Sequence, residues 1–291
     1  MSCHNSIPFI MLAFMAFTAN CSQKKVEKEK INVVVSILPL AEFTEQIGGD
    51  KANVSVMVPP GASPHAYEPT PGQLADVSKA KMYVKIGTPI EFELVWLDKI
   101  LATNKTIFVC DASSGIERLN AVHNDEHRYE GSDPHVWLSP KNAKRMINSI
   151  YTGFATIDPD NEGYYAANTE KYRRQLDRLD KDIEKALEGK TNRKFIVYHP
   201  SWSYFANDYK LKQIPIEIKG KEPTARQIRH VIEESKKHGI TIVFASPQFN
   251  TESAEVIAKE IKGRVVLIDP LEKHYIANMK RIVQALSEAM E

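Results

Sequence analysis

"NEGYYAANTEKYRRQLDRLDKDIEKALEG", residues 161–189, places Tyr172, Leu176, Leu179, Ile183 and Leu187 three or four positions apart and fills the intervening positions with charge. That period is the mark of one long amphipathic helix with a single apolar stripe. Residues 160–189 laid out at 1.5 Å per residue reach about 45 Å, enough to run along two lobes and join them stiffly. No Gly/Ser hinge interrupts the stretch. On its N-terminal side four short β-branched runs, "INVVVSI" (31–37), "NVSVMV" (53–58), "KMYVKIG" (81–87) and "TIFVCD" (106–111), alternate with helical patterns such as "LAEFTEQIGG" and "EFELVWLDKILA". Beyond residue 193 the alternation resumes with "KFIVYH", "LKQIPIEI", "ITIVFAS" and "RVVLID", separated by helical stretches near 201–208, 224–238 and 251–262. Alternating strand and helix predicts parallel sheets. The expected architecture is α/β: two Rossmann-like lobes, each with its own core, at 31–157 and 191–291, with a linking helix at 158–190.

The 291 residues, 43% hydrophobic and 26% charged, are those of an ordinary globular protein. A formal net charge of +1 leaves no electrostatic footprint for nucleic acid. Residues 1–20 contain no Asp, Glu, Lys or Arg, and Ile7–Ala19 form one apolar run. It is too short to span a bilayer, which takes about 20 residues, and it reads as the core of a secretory signal peptide over 1–20. Cys21 follows in "TANCSQKK", where a bacterial lipoprotein carries its lipid, and 21–30 forms a charged tether. The product is an exported protein anchored on the periplasmic or outer face of a membrane. With Cys3 removed and Cys21 lipidated, Cys110 is left without a disulfide partner.

Three histidines share one setting. His65 in "SPHAYEPTP", His135 in "SDPHVWLSP" and His199 in "VYHPSW" each adjoin a proline and precede a helix start. Thr70-Pro71 with Gln73 reads as an N-cap, an N1 proline and a capping-box partner; Ser139-Pro140 repeats the first two, and Ser201 is expected to cap a helix beginning at Trp202. Strand ends in open α/β sheets are where ligands bind. Proline holds φ near −65° and restricts its neighbour, so less entropy is lost when such a side chain is fixed on a ligand. Three imidazoles with a carboxylate suit a tetrahedral transition metal, and Asp269 in "VVLIDPL", after the last strand, is the candidate fourth member. Glu68, three residues past His65, is an alternative ligand or an acceptor for an imidazole N–H.

"PPGASPHAYEPTPGQL" (59–74), "DPHVWLSPKNA" (133–143), "YHPSWSYFANDY" (198–209), "EPTARQI" (222–228) and "LIDPL" (267–271), in this order, resemble the zinc/manganese-binding lipoprotein family, the cluster A-I metal receptors of bacterial ABC importers. The resemblance implies one metal in the cleft between the lobes, on His65 and His135 from the first lobe and His199 and Asp269 from the second. It also implies a partner permease and no catalysis. Two features depart from common family patterns. Ser246 stands where many relatives carry glutamate, and the long histidine-rich insert of several zinc-specific relatives is reduced to His123 and His127 in a polar loop at 123–133, at most a weak accessory metal loop.

Three imidazoles favour Zn2+ over Mn2+, which lies lower in the Irving–Williams order and is content with oxygen donors. A zinc hydrolase would need an open coordination position and a base; HExxH is absent, and Glu68 or Glu222 would have to serve. A structural or adhesin-type lipoprotein stabilised by metal would be largely unfolded without it, whereas two α/β cores predict a folded apo state. The expected protein is a monomeric receptor that captures Zn2+, with Mn2+ as the alternative ion.

Overall fold

The computed structural model describes Met1 and residues 29–290 apart from 125, 126 and 219, with 121–124 and 127–130 described by backbone alone. The signal segment, Cys21 and the side chains of His123 and His127 lie outside the described residues. Among the described residues no helix is long and apolar enough to cross a membrane.

In chain order the elements are β1 (Ile31–Val35), α1 (Leu38–Gly48), β2 (Ala52–Val56), α2 (Pro71–Lys79), β3 (Met82–Lys85), α3 (Glu91–Leu101), β4 (Phe108–Asp111), β5 (Asn120–Asn124), β6 (His127–Ser132), α4 (Pro140–Ile157) and α5 (Glu162–Ala186). They continue as β7 (Lys194–Val197), α6 (Ser203–Asp208), β8 (Lys212–Pro215), α7 (Ala225–His238), β9 (Ile242–Ala245), α8 (Glu252–Glu260), β10 (Arg264–Leu267) and α9 (Tyr275–Ala289). Two four-stranded sheets form, ordered β2-β1-β3-β4 and β10-β9-β7-β8. Every pairing within them is parallel. In each sheet the chain leaves its first strand to one side and returns on the other, which opens a crevice at the carboxyl ends of β1/β3 and of β7/β9.

The long helix α5 covers 25 residues, about 37 Å at 1.5 Å per residue. It falls short of the expected span because a 3-10 turn at Pro159–Asn161 precedes it and Leu187 caps it. Tyr165, Thr169, Tyr172, Leu176, Leu179 and Ile183 form its buried stripe, each Leu or Ile contributing ~1.5–3 kcal/mol by burial.

Two separate cores were expected, and the packing differs. One cluster runs from Val33, Val35 and Phe43 of the first lobe through Tyr172 and Leu176 to Phe195, Trp202, Phe205, Phe244 and Tyr275 of the second. Ile196, Tyr198, Val231, Val243 and Ile257 form a smaller one. Strand alternation explains the division, since β7 turns Phe195 and Val197 to the shared core and Ile196 to the other face. Polar ties cross the same junction: the Trp137 indole donates to the Pro270 carbonyl at 2.8 Å and the Tyr204 hydroxyl to the Asp133 carbonyl at 3.0 Å.

Two local expectations are corrected. The stretch read as a polar loop at 123–133 has backbone paired as the antiparallel ribbon β5–β6, with irregular register; backbone pairing needs no apolar face, so periodicity gave no sign of it. Ser201 does not cap α6, which starts at Ser203 behind Trp202. The Trp202 N–H goes to Gln213 Oε1 at 3.1 Å instead. Thr70 and Ser139 do cap their helices, accepting from the N–H groups of Gln73 and Asn142.

Candidate metal centre

His65 lies in the turn segment between β2 and α2, His135 just before a 3-10 turn at Val136–Leu138, and His199 two residues past β7. These connections leave the carboxyl ends of the sheets or, for His135, follow the ribbon, and they converge. One ring nitrogen from each of His65, His135 and His199 lies within 4.8 Å of the other two, and no other group of three or more possible metal-binding side chains forms among the described residues. The closest approach, 3.3 Å, is between Nε2 of His135 and Nε2 of His199. Two imidazolium ions would repel at that separation.

Each of the three rings rests its Nδ1 on a carboxylate. His65 Nδ1 is 2.6 Å from Glu91 Oε2, His135 Nδ1 is 2.8 Å from Asp133 Oδ1, and His199 Nδ1 is 3.2 Å from Glu217 Oε2. A carboxylate can only accept, so Nδ1 carries the hydrogen and Nε2 is left with a lone pair. This is the outer arrangement of a histidine metal site: it sets the tautomer, fixes the ring and strengthens the donor. Burial lowers the His199 pKa, helped by the charges of His135 and His65 and opposed by Glu217, so the ring favours its neutral form. Burial raises the Glu91 pKa, but the hydrogen bond and charge of His65 outweigh it and hold the group below its usual value.

None of these three acids stood out in the sequence. Only Asp133 had a local signal, because an acid two residues before His135 can take that residue's N–H as well, and its Oδ1 does so at 2.8 Å. Glu91 and Glu217 lie 26 and 18 residues from their histidines, and only the fold reveals them. Phe249 was also missed. It stacks on His199 with ring centroids 4.7 Å apart and lies 6.4 Å from His65. Its turn is closed by the Phe249 N–H on the Ser246 carbonyl at 3.1 Å.

Asp269 and Glu68 are not brought into the three-histidine group. Asp269 Oδ1 accepts from Gln248 Nε2 and from the Leu271 N–H, both at 2.8 Å. One of these bonds comes from the segment after β9 and the other from its own loop, and together they satisfy that oxygen. Glu68 is exposed.

The profile of the family described as zinc-uptake complex component A, periplasmic (ZnuA), matches residues 33–289. This chain belongs to that family. It is 28% identical to the high-affinity zinc uptake system protein ZnuA of Bacillus subtilis over 97% of its own length and 96% of that protein's. It is also 28% identical to the zinc-binding lipoprotein AdcA of Streptococcus pneumoniae over 94% of this chain, which spans 59% of the longer AdcA. A crystal structure of ZnuA superposes with a TM-score of 0.85 at 42% identity, over 90% of this chain and 100% of the other. The ZnuA family comprises binding receptors for transport, so the histidine cluster belongs to a receptor and not to an enzyme.

Proposed function

We propose that this chain is the extracytoplasmic receptor that captures Zn2+ on His65, His135 and His199 and delivers it to an ABC importer. The observation that carries this reading is the convergence of three imidazoles, each with Nδ1 engaged by a carboxylate and Nε2 left to donate. Three neutral nitrogen donors suit zinc better than manganese. The acids Glu91, Asp133 and Glu217 offset the ion's charge without occupying its coordination sphere. Asp269, whose Oδ1 is held by Gln248 and Leu271, supplies the fourth donor through its other oxygen if its loop moves toward the histidines; otherwise solvent completes the tetrahedron. The three histidines converge within one chain, so the site needs no second copy to supply them. Metal analysis of protein purified without chelator, followed by competition between Zn2+ and Mn2+, tests the proposal. One equivalent of zinc, retained against equimolar manganese, is expected; preference for manganese overturns the choice of ion, and no tight metal overturns the receptor reading.

Lipidation at Cys21 is the second part of the proposal. A diacyl or triacyl group supplies stable anchoring where a single chain is marginal. Cys21→Ser is expected to move the protein from the membrane fraction to the soluble exported fraction. Equal membrane association of both forms counts against the anchor.

A further inference from the structure

The three ligand arms are unequally held. The side chains of His135 and His199 are 7% and 11% exposed, and their carboxylates Asp133 and Glu217 are buried. His65 is 25% exposed and Glu91 is 53% exposed. The buried pair is held by packing, with Trp137 against His135 and Phe249 stacked on His199. His65 is the most exposed of the three, so a rotation away from a bound ion exchanges the metal contact for solvent at the lowest packing cost. What opposes that rotation is the 2.6 Å bond from Nδ1 to Glu91.

Glu91 is itself well supported from behind. It is the first residue of α3, and the next amide, Phe92 N–H, donates to the Pro64 carbonyl at 3.0 Å, which ties the helix start to the segment carrying His65. Two residues on, the buried carboxylate of Glu93 accepts from Ser36 Oγ at 2.5 Å, Ile86 N–H at 2.6 Å and Gly87 N–H at 2.9 Å. These bonds pin the first turn of α3 to the ends of β1 and β3. Glu91 therefore projects from a tied-down turn toward the most exposed of the three ligands.

We propose that Glu91 is the positioning residue that sets how fast the ion leaves, by holding His65 in its ligating orientation, and that His65 is the arm that opens first when the ion is handed on. This rests on His65 being a ligand. An incoming ion meets the fixed pair His135/His199 first and His65 closes over it afterwards, so loosening His65 acts on dissociation more than on association.

The test uses the full chain loaded with zinc. Release into excess chromogenic chelator and association are each followed by stopped flow, with circular dichroism to verify folding. Glu91→Ala is expected to speed release by about tenfold or more, the scale seen when outer-shell partners of ligating histidines are removed. Association should stay within about twofold, and Glu91→Gln, which can still accept the Nδ1 hydrogen, should fall between Glu91→Ala and the parent. Imidazole 15N spectra of the zinc-loaded Glu91→Ala should show the His65 signals broadened or mixed while those of His135 and His199 remain single. Release unchanged in both variants, or association slowed as much as release is speeded, overturns the proposal. His65→Ala separates the two ways of failing: if it also releases zinc at the parent rate, His65 is not a ligand and the underlying reading fails; if it alone accelerates release, only the role of Glu91 fails.

Discussion

His135→Ala and His199→Ala each weaken zinc binding by about tenfold or more, equivalent to ~1.4 kcal/mol or more. Both rings are largely buried and meet at 3.3 Å between Nε2 atoms, so each truncation removes one of the three converging nitrogen donors. The loss has a second component. Truncation of His199 strands Glu217, which is 3% exposed, and an acceptor left unpaired at such depth costs ~1–3 kcal/mol, whereas Asp133 keeps the backbone N–H of residue 135 when His135 is truncated. Thermal stability of apo His199→Ala should therefore fall alongside affinity. His199→Asn, which offers its amide N–H to Glu217, should recover part of the stability and none of the affinity. Competition titration against a zinc chelator and a thermal melt of each variant check this. A parent-like isotherm in either alanine variant removes that residue from the site.

Zinc affinity falls steeply on acidification, with a limiting slope that counts histidines. A ring nitrogen binds zinc only when neutral, and an unperturbed histidine titrates near about 6.5. Well below the apo pKa values three ligands release about three protons per ion bound, against about two for a site of two histidines and two carboxylates. The sign follows from the chemistry: protons and zinc compete for the same lone pairs, so affinity is full where the rings are neutral and declines as pH drops through their pKa values. Burial holds the His199 pKa below its ordinary value, so the full slope is reached only at the acid end. Titrations from about pH 8 to about pH 5 check this. A slope near one at the acid end means that two of the three rings do not ligate, and a flat curve removes the histidine site altogether.

Much of the scaffold was written locally. The runs that became β1, β3, β7 and β9 are short, β-branched and bounded by helix signals, and such patterns need only nearest neighbours to be read. Thr70 and Ser139 cap their helices because an N-cap interaction spans three residues. The three histidines were visible for a related reason: each sits beside a proline, and backbone stiffness at a potential ligand is itself a local property.

Other features depend on which loops the sheets bring face to face, and no local pattern encodes that. Glu91 and Glu217 are unremarkable acids in the chain; β3 ends in the turn that starts α3, β8 ends two residues before Glu217, and parallel pairing places those ends beside His65 and His199. The engagement of Asp269 with Gln248 likewise joins the ends of β9 and β10. The continuous core, too, was hidden, since a strand's alternation shows that it has two faces and not that Phe195 on one of them meets α5. Residue types and spacings thus determined the strands, the helix caps and the histidine donors, because those rest on short-range sterics and hydrogen bonding. Tertiary structure alone decided which carboxylate holds each imidazole and which of the three rings is left facing water, because both follow from contacts between segments remote in the chain.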